Sequence, residues 1–515
     1  MIFGNYSPLI AVLFPLVGAI LIILLGEHVN RKVRETFTFV AAVCAAVTVY
    51  SMIPGALAGT EYQVIAWEIV EGVELKFKAD AAGMVFGCVA STLWIVTSVY
   101  SIGYMKAEHE TQLTGYFAAF ATCIGAAIGI SFAANLLTFF ICFEMLTIAT
   151  YPLVTHNRDE EAKKSGRKYL AYTLISGQIF FACIVTVYVK YGTMDFVPGG
   201  FIAPFSMPAG TMCILFILML GAGLVKSGVM PLQNWLPSAM VAPTPVSALL
   251  HAVAVVKAGV FCILRVTCYV FGPFAAAWCN GAQIISWFAV GTIIISSLIA
   301  LGKDGLKARL AFSTIGQLSY IVLGIMILSQ ISITGAIYHI VAHAFLKITL
   351  FMCAGAIIAT TGLHNISEMG GLGKRMPITM TCFCLSSFGI AGLPLFAGFI
   401  SKYNIIMGAF EQGQLLFVAT LICAALLALG YLMPVVYTAF RKPITEPVLK
   451  EGGEPNKIML IPIMITCALG IIFGCFPNFA LHLFDFAGMA AEQIENGFND
   501  IVKLFVDTVA KGGVL

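Results

Sequence analysis

Charge is what this sequence has least of. Only 10% of its 515 residues are Asp, Glu, Lys or Arg, against about 25% in ordinary soluble domains. A water-soluble chain of this length needs far more polar surface, which excludes a soluble enzyme and a secreted scaffold. An excess of one sign is lacking too. With 28 Lys+Arg against 25 Asp+Glu, net +3, there is no basic patch to hold a phosphate backbone, and no nucleic-acid partner is expected. Also missing are a Walker loop, a G-x-G-x-x-G opening a βαβ unit, an H-E-x-x-H pair and any C-x-x-C. The chain is therefore expected to carry no redox centre, nucleotide site, metal or other cofactor of its own. Its 15 cysteines sit inside apolar runs (Cys123, Cys142, Cys213, Cys353, Cys423) and read as small hydrophobes. The closest pair is Cys382-x-Cys384.

What the chain has in quantity is long apolar runs, 60% hydrophobic residues at a mean hydropathy of +0.96. About 20 apolar residues cross the hydrocarbon as a helix. Spans are expected near 6–25, 36–56, 81–103, 113–131, 134–154, 166–189, 209–230, 245–269, 281–301, 309–329, 333–360, 377–408, 414–439 and 457–480. The fold class is thus all-α and polytopic, with about 14 transmembrane helices. The first run lacks a basic flank and a cleavage site and is expected to be a retained helix.

The loops orient the bundle. Arg31, Lys32, Arg34, Lys106, Arg158, Lys163, Lys164, Arg167, Lys168, Lys303, Lys307, Arg309, Lys374, Arg375, Arg441, Lys442, Lys450 and Lys457 follow spans of one parity. Loops of the other parity hold little basic charge beyond Lys76, Lys78 and Lys190. The positive-inside rule then makes the first set cytoplasmic and puts both termini outside. Beyond the last span, Ile494, Phe498, Ile501, Val502, Phe505 and Val509 recur at helical spacing. They predict an amphipathic helix on the membrane surface or on a neighbouring subunit, the surface being the preferred reading.

Ionisable residues stand where lipid should be, at about 2.5–3.5 kcal/mol each on insertion scales, and such residues mark ion pathways. Glu144 is the one charge between Glu110 and Arg158. Lys226 closes CILFILMLGAGLVK, and His251 and Lys257 share SALLHAVAVVKAGVFCILR. His339, His343 and Lys347 are spaced four apart, so they form one polar stripe on a helix face that must meet protein or water. Lys402 ends FGIAGLPLFAGFISK. Histidine titrates near neutral pH and a desolvated lysine is drawn toward that range, so a row of such groups linked by water passes protons while holding little buried charge. Arg265, near a span end, is expected to snorkel to the interface.

Breaks accompany two of these lysines. Pro231, Pro237, Pro243 and Pro245 follow Lys226; Gly389, Gly392, Pro394 and Gly398 precede Lys402. Two interrupted helices with a lysine beside each predict a transporter of two inverted five-helix repeats. The expected units are 1–110 (helices 1–3), 111–270 (helices 4–8), 280–440 (helices 9–13) and 455–515 (helix 14 and the amphipathic helix).

Leu137–Tyr151, Gly221–Arg265 (GAGLVKSGVMPLQNWLPSAMVAPTPVSALLHAVAVVKAGVFCILR), Asp304–Tyr320 (DGLKARLAFSTIGQLSY) and His339–Ile358 closely resemble the antiporter-like subunits of respiratory complex I. That family also takes in membrane-bound hydrogenases and Mrp-type cation/proton antiporters. The likeness covers about residues 75–440, and SALLHA-x-x-x-V-K-A-G-V with GLPLFAGFISK is most similar to the D-type Mrp subunit. The resemblance implies that Glu144 and Lys226 are the family's ion pair of helices 5 and 7. It further implies that His251 and Lys257, then His343 and Lys347, are the groups of helices 8 and 11 in a central hydrophilic axis, with Lys402 at the helix 12 position. Asp80 is either the family's third-helix aspartate or an interfacial helix start. Phe143 departs from the tryptophan that many relatives carry there, which bears on packing.

The implied function is a proton-translocating, or monovalent cation/proton antiporting, subunit of a multisubunit complex in a prokaryotic inner membrane. Protons, with sodium as an alternative cargo, and other membrane subunits would be its partners. The alternatives are a membrane arm of a redox-driven complex of NADH:quinone oxidoreductase, hydrogenase or formate hydrogenlyase type, and a scaffold that has lost transport.

Overall fold

A computed structural model describes residues 3–25, 31–446, 448 and 453–510. The helices are α1 (Ser7–Leu25), α2 (Arg31–Leu57), α3 (Ala81–Ala107), α4 (Leu113–Phe132), α5 (Leu136–Val154), α6 (Glu160–Tyr191), α7 (Ala209–Ser227), the short α8 (Trp235–Ser238), α9 (Thr244–Ala252), α10 (Val255–Arg265), α11 (Gly272–Trp278), α12 (Gly281–Gly302), α13 (Leu306–Met326) and α14 (Gln330–Thr361). The short α15 (Leu372–Arg375), α16 (Pro377–Ala391), α17 (Ala397–Glu411), α18 (Leu415–Arg441), α19 (Lys457–Cys475) and α20 (Leu483–Ala510) follow. Among the described residues, thirteen helical stretches are long and apolar enough to cross a membrane. The interrupted pair α16–α17 is the fourteenth span, so the chain is a multi-pass membrane protein.

In hydrocarbon every backbone donor must find a partner inside the protein, and the helix ends show how this is met. Asp80, Asn135 and Asp159 cap the amides of Gly83, Thr138 and Ala162 at 2.8, 2.8 and 2.6 Å. Each such cap contributes about 1 kcal/mol. α14 is the hub of the bundle, touching α3, α9, α13, α16, α17, α19 and α20. By contrast α1, α6 and α18 turn Ile23, Ile175 and Leu426 outward, as lipid-facing helices do.

One face of the bundle gathers the loops on which the sequence concentrates basic charge. There Asn157 donates to the Val241 carbonyl, Lys168 to Ser238 and Lys307 to the Ala242 carbonyl. Arg31 and Lys450 lie outside the described side chains. The opposite face carries a feature the sequence reading did not anticipate, an antiparallel hairpin of β1 (Tyr62–Val70) and β2 (Val73–Ala79). Lys76 ties it to Asp195 at 2.7 Å.

The second lysine-marked break is as expected. α16 ends at Gly392, whose φ of +95° suits glycine, and α17 resumes at Ala397 after the proline-containing G-L-P-L-F. The break expected beside Lys226 is corrected: α7 ends at Ser227, and the proline-rich stretch holding α8 connects two separate spans, prolines stopping a helix there outright. The interrupted helix of the first half is the next span, broken at Val253–Ala254 between α9 and α10 without proline or glycine and flanked by His251 and Lys257.

One expectation is narrowed and one corrected. The first half of α20 packs on this chain: Leu483, Phe486, Ala487, Ala490, Ala491 and Ile494 are buried against α3 and α14. Phe498 meets Phe274. Ile501, Phe505 and Val509 lie outside the described side chains. Arg265 does not snorkel. It is 1% exposed and forks onto both carboxylate oxygens of Asp80, one of them at 2.8 Å. The rings of Phe196, Phe261 and Tyr269 lie 4.6–5.1 Å from its guanidinium carbon. A carboxylate in reach removes the reason to seek water.

Candidate functional site

Lys226, His251, Lys257, His343 and Lys347 are fully buried, His339 is 1% exposed and Lys402 4%. All seven project into the bundle, so the stripe on α14 faces protein and never lipid. Each of its members meets a different helix. His339 Nδ1 is 2.7 Å from Ser401 Oγ on α17, His343 Nδ1 is 2.9 Å from Lys257 Nζ on α10, and Lys347 Nζ donates to Ser313 Oγ on α13 at 2.7 Å. Four-residue spacing puts the three groups on one line, and neighbours of different helices turn that line into a junction of both halves of the bundle.

The breaks supply the remaining partners. Where α16 stops, the carbonyls of Ile390 and Ala391 lose their helical donors, and Lys402 Nζ takes both, at 2.6 and 3.3 Å. The same ammonium lies 4.6 Å from the centre of the Tyr320 ring, and Tyr320 stacks on His339. His251 and Lys257 flank the unexpected break between α9 and α10. The His251 ring lies tilted on Phe351 with centroids 4.9 Å apart, and among the described residues neither of its ring nitrogens has a hydrogen-bond partner.

Glu144 and Lys226 come together less directly than the resemblance implied. Lys226 Nζ donates at 2.6 Å to the carbonyl of Phe143, the residue before Glu144, and sits 3.3 Å over the Phe143 ring. Among the described residues neither buried Glu144 oxygen meets a donor at hydrogen-bonding geometry, although the Thr147 hydroxyl, which donates to the Phe143 carbonyl, lies nearby. Gly177 of α6 lies against the carboxylate: a Cβ there would come within 2.2 Å of Glu144 Oε1. The phenylalanine at 143 thus does more than pack, because its ring and carbonyl together hold the lysine one residue from its carboxylate partner.

Asp80 caps α3, as an interfacial helix start does, and also pairs with Arg265. It lies toward the hairpin face, away from the row formed by the other residues. Sequence reasoning missed Ser313, Ser401, Tyr320 and Tyr431. Of these, Ser313 carried a usable signal, since Arg309, Ser313 and Gln317 recur every four residues along α13. Among the described residues, no group of three or more His, Cys, Asp or Glu is arranged to hold a metal ion.

Lysine, histidine and glutamate side chains are groups able to accept and release protons, and hydroxyls of Ser313 and Ser401 stand beside two of them. Orphaned buried nitrogens and oxygens at Glu144, His251, His339 and His343 are what an internally hydrated path presents.

Comparison with known proteins agrees with this architecture. The Na(+)/H(+) antiporter subunit A1 of Staphylococcus aureus is 29% identical over 506 residues, covering 91% of this chain. The chain spans 61% of the length of that relative, which is an A-type subunit where the sequence reading put the likeness with D-type. A solved structure of the Mrp complex from Dietzia sp. DQ12-45-1b contains a chain that superposes with a TM-score of 0.83 at 18% identity, over 97% of this chain and 99% of that one. A chain of an archaeal respiratory membrane complex, the membrane-bound sulfane sulfur reductase, does so at 0.82 and 21% identity, over 97% and 100%. The transmembrane family described as NADH:quinone oxidoreductase/Mrp antiporter matches residues 133–428, more than half of the sequence and all the row from Glu144 to Lys402. The chain belongs to that family.

Proposed function

We propose that this chain is a proton-translocating, or monovalent cation/proton antiporting, subunit of a multisubunit membrane complex. Its pathway would run through Glu144, Lys226, His251, Lys257, His339, His343, Lys347 and Lys402. The observation that carries the reading is the Lys257–His343 contact at 2.9 Å. It bridges α10 and α14 with two buried bases, of which a proton shared between them leaves only one charged.

The chemistry follows from electrostatics. Two unit charges about 4 Å apart interact by about 4 kcal/mol at an effective dielectric of about 20. An ionised Glu144 therefore favours a charged Lys226, and when Lys226 turns to the Phe143 carbonyl that support weakens and its proton passes inward. At the second break, Lys402 on the Ile390 and Ala391 carbonyls is the matching station. Helices 4–8 and 9–13 would form the two inverted repeats, 111–270 and 280–440, with one lysine-marked break in each. Asp80, paired with Arg265, is read as structural support for the third and eighth helices.

The basic loops support a cytoplasmic assignment for their face, with both termini outside a prokaryotic inner membrane. Partners would be further membrane subunits of an assembly like those of the relatives. Those relatives include an antiporter and a respiratory reductase, and copurification with small antiporter subunits or with iron–sulfur proteins distinguishes the two settings. The test is Glu144→Gln and Lys226→Ala in the assembled complex. Both are expected to lose coupled ion transport with assembly retained; transport at the wild-type rate in both overturns the reading.

A further inference from the structure

We propose that Ser313 and Tyr431 are positioning residues for Lys347, a pair of hydroxyls that solvates this lysine both when it carries a proton and when it does not. The inference deepens the functional reading above and rests on it.

An ammonium has three donors and no acceptor, and Lys347 is fully buried. Its neighbours on the stripe are engaged elsewhere, His343 with Lys257 and His339 with Ser401. What Lys347 Nζ meets is Ser313 Oγ at 2.7 Å, and Ser313 Oγ in turn lies 3.0 Å from Tyr431 Oη on α18. Serine and threonine in a helix ordinarily turn the hydroxyl back to a carbonyl of the preceding turn. Thr314 and Ser319 on the same helix do so, onto Leu310 and Ile315. Ser313 faces Lys347 and Tyr431 instead.

A hydroxyl both donates and accepts, which makes the row reversible. With Lys347 charged, Nζ donates to Ser313 Oγ, and the Ser313 hydrogen goes to Tyr431 Oη. With Lys347 neutral, Tyr431 donates to Ser313 Oγ, and the Ser313 hydrogen goes to the lone pair on Nζ. Two hydroxyl rotations exchange the states, and no heavy atom moves. Tyr431 is itself anchored on α13. Arg309 Nη1 donates to its carbonyl at 2.9 Å, and Gln317, one turn beyond Ser313, lies beside its phenol.

Hydroxyl solvation matters here because the surrounding groups offer Lys347 no counter-charge. His343 on its own helix, His251 from α9, Lys257 from α10 and Lys402 from α17 are all bases. α13 brings Arg309, bound to the Tyr431 carbonyl, and α18 brings the Tyr431 phenol. α3 brings Tyr100, which is occupied by the Met352 carbonyl. α16 and α19 bring the thiols of Cys382 and Cys467, the latter on the Cys382 carbonyl. α20 meets α14 at Tyr338, about two and a half turns away.

The test compares wild type, Ser313→Ala, Ser313→Thr, Tyr431→Phe and Lys347→Ala as full chains in the assembled complex. Transport is read in everted vesicles across pH. Removing the acceptor disfavours the charged lysine, so Ser313→Ala is expected to move the alkaline limb of the rate profile toward acid by about one pH unit. On that limb this is about a tenfold loss, with the maximal rate preserved at lower pH. Ser313→Thr restores the wild-type profile, and Tyr431→Phe gives a smaller shift in the same direction. Lys347→Ala abolishes transport. An unshifted profile in Ser313→Ala, or a uniform loss in both Ser313→Ala and Ser313→Thr, overturns this inference while the loss in Lys347→Ala leaves the transport reading standing. Normal transport in Lys347→Ala overturns the transport reading itself.

Discussion

Gly177→Ala separates stability from transport at the first station of the row. Alanine is the better helix former by about 1 kcal/mol, so on helix propensity alone the variant should fold at least as well as wild type. Its Cβ, however, would come within 2.2 Å of Glu144 Oε1 and 2.9 Å of Cδ, where ordinary contact begins near 3.4 Å. The carboxylate must retreat from α6 by about 1 Å in an interior packed without slack, and the cation that attracts it is Lys226. Shortening such a pair from about 5 to about 4 Å, at an effective dielectric of about 20, is worth about 0.8 kcal/mol, or about fourfold in the ease of separating it. The expected outcome is a severalfold slower proton flux in reconstituted vesicles, with yield and thermal stability of the complex at or above wild type. Gly221→Ala, on α7 with nothing near its would-be Cβ, serves as the control and should transport normally. Unchanged flux in Gly177→Ala, with Glu144 still required, refutes the idea that the Glu144–Lys226 separation is tuned by packing.

Other consequences are open to simpler measurements. Breaking the Asp80–Arg265 pair by Arg265→Met should cost about 3 kcal/mol, the low end for a buried pair, because it strands a carboxylate that is 18% exposed and keeps the Gly83 amide. Adding Asp80→Asn should recover part of that loss in a thermal-unfolding assay, and a double variant worse than the single one contradicts the pairing. Outside the membrane, burial and the nearby Glu110 raise the Glu108 carboxyl above its usual 4.5. A raised acid binds more protons folded than unfolded, so this group contributes stability below pH 4.5 that is lost as pH climbs through its elevated value. Glu108→Gln should flatten that decline, and melting curves of equal pH slope in both proteins count against it.

Much of this protein was legible in its sequence because a bilayer leaves few choices. Fourteen apolar runs had to be helices, and charges inside them had to face inward, so His339, His343 and Lys347 could be put on one buried line from spacing alone. Gly392 and Pro394 announced a break, and the lysine that caps it followed. What escaped has physical reasons. Of the hairpin Tyr62–Ala79 only β2 alternates apolar and polar residues, and both strands are too short for a search tuned to 20-residue spans. The interruption at Val253–Ala254 uses residues that ordinarily continue a helix, so only tertiary packing explains it. Arg265 lies near a span end in sequence, and nothing local reveals that Asp80, 185 positions earlier, waits beside it. The turn of Lys226 to the Phe143 carbonyl, and not to Glu144, is a conformational choice that no pattern of residues encodes.

The central claim is that one connected row of buried bases joins both halves of the bundle, with Lys257 and His343 as the crossing point. Lys257→Met tests it most directly: the intact complex is reconstituted into vesicles, and proton uptake after an imposed gradient is timed. The account predicts uptake no faster than the passive leak while the complex remains assembled; uptake at the wild-type rate contradicts it.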